Sequence, residues 1–416
     1  MKSFGVILAS MVLILSSCIS ELEPVANLSG NADSILAITT PIDSTRRSII
    51  SGVYVVDSPS RRFGDTVAVQ SRGSLITIFT VKDVVYFAMR GGLRDDSVLL
   101  SGYWRGVQGP LTGVAQLSIQ PGEGGSDIAA GKGSGKGLIL RGEIDVPELD
   151  RPEPLVLRKI EKEFERLRGF QIIAHRGGGR NSERLGVSEN TKEMMFLSPV
   201  LGATGIEIDI QSTKDGVPIV FHDPTFTSRT VRSPYLIGKV SNYTYKNLQT
   251  LARLIYGERI PTLEEALIAV IDKTELSMIW LDVKAAHLTD SIIGIQKRAI
   301  EHAKFKGRNI RILFGIPDDD VLNAYRRSPL KGTSPVLCEL DPHIVRELDA
   351  DVWAPRFTLG LQKELVAEMQ KEGRDVYVWT LDDTGFMIEY LRDGDFDGIL
   401  TNYPTLLAAI FRTRIL

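Results

Sequence analysis

Cysteine is almost missing from this chain of 416 residues, which carries only Cys18 and Cys338. A disulfide framework is thereby excluded as the source of its stability. Charge of either sign is not in excess: the formal net charge is −3, and no basic run stands out. Nucleic-acid binding finds no support there. A phosphate loop is missing too. "AGKGSGKG" invites one, but Gly135-Lys136 is followed by Gly137 instead of Ser or Thr, and Ala130 stands where the spacing needs glycine. Without that spacing the backbone cannot cradle phosphates, and a flexible hairpin loop accounts for the segment. What the chain does have is apolar material. Hydrophobic residues make up 43% and charged residues 24%, which suits a globular protein with a sizeable core and about two domains.

No apolar run is long enough to span a bilayer comfortably. The N-terminal run "FGVILASMVLILSS" after Met1-Lys2 fits the core of a signal peptide instead. It ends in Leu15-Ser16-Ser17-Cys18, which resembles the lipobox of bacterial lipoproteins. The resemblance implies a signal peptide over residues 1–18 and lipidation of Cys18 as the first mature residue. It also implies a lipid-anchored place in the bacterial cell envelope, on the periplasmic or the outer face of the outer membrane. "CISELE" is similar to export signals of surface lipoproteins in Bacteroides-like bacteria. With Cys18 used as an anchor no intramolecular disulfide remains, and Cys338 in "PVLCEL" reads as a small buried hydrophobe.

Residues 19–48 are polar and without period, the pattern of a tether. Over 49–144, short runs such as "SGVYVV", "SLITIFTV", "DVVYFAMR", "DSVLLSGYW" and "TGVAQLSI" are punctuated by Gly, Asp and Ser. That spacing predicts a small antiparallel all-β domain, a sandwich or barrel. Its "SGxY" opening and later "GYW" resemble lipocalin-like domains. Residues 145–168 begin Pro-rich and acidic and continue as "LVLRKIEKEFERLRGF", so a linker and an amphipathic helix are expected. From 169 to 416 apolar strands alternate with helices, which predicts a parallel sheet. About eight such units in roughly 250 residues fit a closed (β/α)8 TIM-like barrel. An open doubly wound sheet is the alternative, but no Gly-rich turn follows the first strand. The link between "IEIDI" and "PIVFHD" is too short for a parallel crossover. The second segment therefore runs antiparallel or distorts the barrel.

Polar residues gather at the strand ends of this barrel, where barrels place their chemistry. They are His175-Arg176, Glu207 and Asp209 in "IEIDI", His222-Asp223, and Asp282 and Lys284 in "LDVK", with Trp379 in "VYVWT". Glu207 and Asp209 leave the strand on one face. Buried carboxylates are costly unless paired or metal-bound, and three of them make an oxygen site for Mg²⁺ or Ca²⁺. Two histidines supply an acid and a base near neutral pH. Arg176 and Lys284 are suited to hold an anion. Together these groups suit hydrolysis of a phosphate ester.

"HRGGGRNSERLGVSENT", "IEIDIQSTKDGVPIVFHDPT", "IPTLEEAL", "LDVK", "VYVWTLDD" and "FDGILTNYP" follow in order over about residues 170–405. In order and spacing they closely resemble the glycerophosphodiester phosphodiesterase family, a group of phosphodiesterase TIM barrels. The resemblance implies hydrolysis of a small-molecule glycerophosphodiester to sn-glycerol 3-phosphate and an alcohol, assisted by a divalent cation, Ca²⁺ or Mg²⁺. Carried over by position, it implies His175 and His222 as the acid–base pair and Glu207, Asp209 and Asp282 as metal ligands. Arg176 and Lys284 would bind phosphate, Glu189 and Asn190 in "SENT" would shape the first loop, and Trp379 would line the pocket. Which histidine is the acid is open in the sequence, as is the choice of water or the glycerol's own hydroxyl as nucleophile; His175 is assigned here as the base of the first step. Three departures stand out: Ser188 for proline, Asp282 for glutamate, and "DPTFTSRT" without the usual Leu-Asp. Two rival readings are a hydrolase of lysophospholipids or phosphoinositides, and an inactive barrel serving as a binding lipoprotein.

Overall fold

A computed structural model of the chain describes residues 37–72, 75–107, 111–133, 135–147, 149–160, 169–178 and 185–413. Two closed barrels follow one another along it. The first begins with the two-residue strand β1 (Thr40–Pro41). Its wall is β2 (Gly52–Val56), β3 (Thr66–Arg72), β4 (Leu75–Thr80), β5 (Val85–Arg94), β6 (Ser97–Gly106), β7 (Thr112–Ile119), β8 (Ile139–Ile144) and β9 (Glu153–Lys159). Each wall strand pairs antiparallel with the next, and β9 returns to β2. The result is an up-and-down barrel with no open edge between β2 and β9, which removes the hazard of an exposed strand. Val85, Phe87 and Met89 alternate into its interior beside Trp104 and Leu117, while Tyr86 and Ala88 face outward.

Two stretches expected as tether or linker are structured. Residues Ser44–Ile50 form a helix whose N-cap Asp43 accepts a hydrogen bond from Arg46 N at 2.8 Å, and Ile49 and Ile50 are buried. Residues 153–159, expected as the end of a linker and the start of a helix, are the closing strand β9. Its period-two signal, Leu155 and Leu157 buried, is masked in sequence by the prolines before it and the charged run after it.

The second barrel has eight parallel strands. They are β10 (Gln171–Ala174), β11 (Gly205–Ser212), β15 (Met278–Val283), β16 (Arg311–Ile316), β17 (Val336–Cys338), β18 (Val352–Trp353), β19 (Asp375–Val378) and β20 (Gly398–Thr401). They pair in that order, and β20 pairs with β10 to close the ring. The helices that surround them include α1 (Lys192–Leu197), α2 (Leu263–Lys273), α3 (Thr289–Phe305), α4 (Asp319–Arg327), α5 (Pro342–Leu348), α6 (Lys363–Lys371), α7 (Thr384–Asp393) and α8 (Pro404–Thr413). The segment after the short link, β12 (Pro218–Val220), pairs antiparallel with β11. Gly216 turns that hairpin at φ 74°, a left-handed value that suits glycine.

Local sequence explains the frame. "IPTLEEAL" starts α2 with a capping box: Glu265 N donates to Thr262 Oγ1 and Thr262 N donates to Glu265 Oε2. Leu263, Ala266, Leu267, Val270 and Ile271 then recur at helical spacing and are buried. In the strands, alternate residues divide between two cores. Ile172, Ile206, Ile208, Ile279 and Leu281 pack outward under the helices, whereas Ile173, Met278, Trp280, Leu313, Leu337, Tyr377 and Leu400 fill the barrel centre. Continuing the inward set by period two brings His175, Glu207, Asp209, Asp282, Lys284, Glu339, Trp379 and Asn402 to the C-terminal mouth. The first barrel docks on the outside of this wall. Phe79, Tyr86 and Ala88 share one core cluster with Leu406, Ala409 and Ile410 of α8. Gly202 lies at this contact, where a Cβ would stand 3.3 Å from Phe79 Cζ of the first barrel and 2.6 Å from Ala408 Cβ of α8.

Candidate active site

The first strand end sets the geometry. His175–Gly177 forms a tight turn in which Arg176 has φ 54° and Gly177 φ 82°. Left-handed backbone is costly for an arginine. Here it aims Arg176 N at Glu207 Oε2, 2.8 Å away. His175 Nδ1 lies 2.7 Å from Asn402 Oδ1. Asn402 is held in turn by Asp382, which accepts from Asn402 Nδ2 at 2.6 Å and from Asn402 N at 2.8 Å. With its amide NH₂ committed to a carboxylate, Asn402 presents oxygen to the imidazole. Nδ1 therefore carries the proton and Nε2 is left as the basic nitrogen, 3.8 Å from Glu207 Oε2. Burial pushes the His175 pKa down to about 4, against the pull of Asp209 and with help from Arg176. His175 is neutral at physiological pH.

Across the mouth, one oxygen each of Glu207, Asp209 and Asp282 lies within 4.8 Å of the others. Glu207 and Asp209 are buried. Asp282, though one methylene shorter than glutamate, reaches the group because it sits in register with Asp209 on the neighbouring strand. Burial, then Asp209 and Asp282, push the Glu207 pKa well above the carboxylate range. Burial likewise raises Asp282, against Lys284. Asp209 goes the other way: burial opposes its ionisation, but Lys284, His222 and a hydrogen bond from Asn190 together outweigh it. Lys284 Nζ lies 2.6 Å from Asp282 Oδ2 and 3.1 Å from Asp209 Oδ1. One ammonium cannot offset three carboxylates. Glu207 Oε1 and Asp282 Oδ1 are buried without a hydrogen bond, and Asp209 Oδ1 has the Lys284 ion pair alone, which fits a divalent cation held by hard oxygens.

The loop before α1 supports both sides of the cluster. Asn190, at φ 60°, donates from Nδ2 to Asp209 Oδ2 at 2.7 Å and accepts from Asp209 N. Glu189 accepts from Arg176 Nη1 at 2.9 Å, and Arg176 Nε is buried without a hydrogen bond. Ser188, where the family pattern has proline, fixes the loop by other means. Its N and Oγ donate to Glu258 at 2.9 and 2.7 Å. His222 Nδ1 lies 2.7 Å from Asp223 Oδ1, so a carboxylate orients this second imidazole. Burial opposes ionisation of Asp223, but hydrogen bonds from His222 and Arg229 hold it below the usual carboxylate range. Arg229 also reaches Glu189, at 3.0 Å.

His175, Arg176, Glu189, Asn190, Glu207, Asp209, His222, Asp282 and Lys284 thus meet at one end of the barrel. Trp379 directly follows β19, two strands from His175. Its Nε1 donates to Ala354 O at 2.8 Å and its ring carries the Arg356 guanidinium at 4.6 Å. Cys18 lies outside the described residues. Sequence reading passed over Asn402 and Asp382, although both lie in its strand-end motifs, and over Arg229 and Glu339. The inward register was the signal for Asn402 and Glu339. Burial, then Asp282, push the Glu339 pKa well above the carboxylate range. Arg229 sits in a loop segment with no such period.

Residues 175–314 match the glycerophosphoryl diester phosphodiesterase family. A glycerophosphodiester phosphodiesterase of Caldanaerobacter subterraneus subsp. tengcongensis is 30% identical over 58% of this chain and 97% of its own length. Glycerophosphodiester phosphodiesterase 1 of Mus musculus is 34% identical over 27% of this chain and 34% of its own. Among solved structures, a glycerophosphodiester phosphodiesterase from Parabacteroides distasonis aligns with TM-score 0.47 and 23% identity, over 60% of this chain and 99% of that one.

Proposed function

Since the chain belongs to the glycerophosphodiester phosphodiesterase family and is such an enzyme, we propose that it hydrolyses glycerophosphodiesters to sn-glycerol 3-phosphate and an alcohol by histidine acid–base catalysis. One observation carries the mechanistic part. Both histidines are tied through Nδ1, His175 to an amide and His222 to a carboxylate. Nε2 of each is left for proton transfer beside the carboxylate cluster.

Glu207, Asp209 and Asp282 would hold a divalent cation, Mg²⁺ or Ca²⁺, whose chemistry is to draw electron density from a non-bridging phosphate oxygen. Arg176, through its open Nε, and Lys284 meet the charge that grows on the phosphate. Neutral His175 takes the proton of the attacking hydroxyl at Nε2. His222 gives the proton from its Nε2 to the departing alkoxide, and Asp223 stabilises its charged form. Glu189 and Asn190 keep Arg176 and Asp209 in place, and Trp379 walls the mouth on the β19 side.

The test is a panel of glycerophosphocholine, lysophosphatidylcholine and phosphatidylinositol, reading released sn-glycerol 3-phosphate and free head group separately. Release of glycerol 3-phosphate from the water-soluble diester is the expected outcome. Turnover of the lipids alone would replace this reading with a phospholipase. We further infer a lipid anchor at Cys18 in the bacterial cell envelope, supported by the apolar run and the Leu-Ser-Ser-Cys ending. Cys18→Ser should move the protein from the membrane pellet to the soluble fraction.

A further inference from the structure

Between β12 and α2 the chain inserts a small module, residues 224–257. It carries Arg229, Arg232, Lys239, Lys246 and Arg253 and not one Asp or Glu, in a protein whose net charge is −3. The module is a built unit. Its strands β13 (Thr225–Phe226) and β14 (Gly238–Lys239) pair antiparallel, and Phe226, Val231, Leu236, Val240 and Leu248 pack in one core with Ile219 of β12, Phe221 and Ile260 at its base. Its base is fastened to the catalytic mouth by Arg229, 2.8 Å from Asp223 and 3.0 Å from Glu189. Its tip does the opposite of what a soluble surface usually does. While Leu236 turns inward, Tyr235 and Ile237 on either side are 83% and 73% exposed. Beside them lies a surface cleft of about 470 Å³ lined by Arg232, Pro234, Tyr235, Leu251 and Arg253. Two exposed apolar side chains two residues apart, one of them sharing a cleft with Arg232 and Arg253, mark an interaction surface rather than scattered exposure.

We propose that this module docks the enzyme on an anionic lipid surface, with Tyr235 and Ile237 entering the interface and Arg232, Lys239 and Arg253 meeting lipid phosphates. An aromatic and an aliphatic side chain at the tip suit the boundary between headgroups and acyl chains. Basic residues near such a surface add to the attraction. The absence of any acid over the whole module is the charge complement of that surface, and a protein partner would not require it. The clamp of Arg229 on Asp223 keeps the docked tip in register with His222. The docking is independent of which diester is cleaved, and of any anchor at Cys18.

The polypeptide from Ile19 onward carries every strand of both closed barrels and serves for the test. It is sedimented with phosphatidylcholine vesicles, with and without phosphatidylglycerol, and compared with Tyr235→Ser/Ile237→Ser and with Arg232→Gln/Lys239→Gln. The unchanged sequence should sediment with the anionic vesicles only. Each double variant should bind them at least roughly tenfold more weakly, while turnover of soluble glycerophosphocholine is unchanged. No binding to anionic vesicles, or equal binding by all three proteins, would overturn the proposal. So would a dimer in sedimentation equilibrium that the tip variants dissociate, since a second copy would then cover the surface.

Discussion

His175 Nδ1 and Asn402 Oδ1 lie 2.7 Å apart, and the amide behind that oxygen cannot rotate because Asp382 holds its NH₂ at 2.6 Å. A neutral amide thus fixes which nitrogen of the imidazole is basic without adding a charge beside it. Asn402→Leu and Asp382→Leu should each lower kcat on the order of tenfold to a hundredfold with KM little changed. Asp382→Asn, which can still accept from Asn402, should lose less. Equal losses in all three would mean that the pair serves folding rather than the orientation of His175.

The two histidines differ in their partners, and that difference is measurable. His222→Ala should lose roughly 10²–10⁴-fold with glycerophosphocholine yet keep most of its rate with an activated aryl leaving group that needs no proton. His175→Ala should lose rate with both. Equal losses of His222→Ala on the two substrates would reverse the assignment of acid and base.

Glu207 Oε1 and Asp282 Oδ1 are buried without a hydrogen bond and Asp209 Oδ1 shares one ammonium, so a bound cation would add stability. Raising Mg²⁺ or Ca²⁺ to a hundredfold above its dissociation constant should stabilise the protein by about 2.7 kcal/mol. For a barrel of this size that is a melting-temperature rise of roughly 5–10 °C. EDTA should remove it. Glu207→Gln should melt at nearly the same temperature with and without the cation, whatever its activity.

Asp223 is held below its ordinary pKa in the folded state by His222 and Arg229, with burial opposing them. Its contribution is present above the unfolded value of 3.8 and is lost as pH falls through the depressed folded value. The melting-temperature difference between the native protein and Asp223→Asn should therefore shrink as pH falls below roughly 4. A difference that stays undiminished at the lowest pH would contradict the pairing.

Much of this arrangement was legible in the residues. Period two in "IEIDI" separates Ile206, Ile208 and Ile210 from Glu207 and Asp209, and the structure keeps them on opposite sides of the strand. The short link at Gly216 left an antiparallel β12 or a distorted barrel open, and β12 pairs antiparallel with β11. What stayed hidden depends on distant partners. Arg229 gains its meaning only when the insertion folds back on Glu189, 40 residues away in sequence. Asn402 is 227 residues from His175 and becomes its neighbour only because β20 closes the ring onto β10. The strand β9 looked like linker because closure of the first barrel, and not its own composition, makes it a strand.

The most direct test of the account is sn-glycerol 3-phosphate release from glycerophosphocholine by the polypeptide from Ile19 onward. It would be run in EDTA, then with Mg²⁺, then with Ca²⁺, with His175→Ala alongside. The account predicts no release in EDTA, release with at least one of the two cations, and none from His175→Ala. Release that persists in EDTA, or that survives His175→Ala, would contradict it.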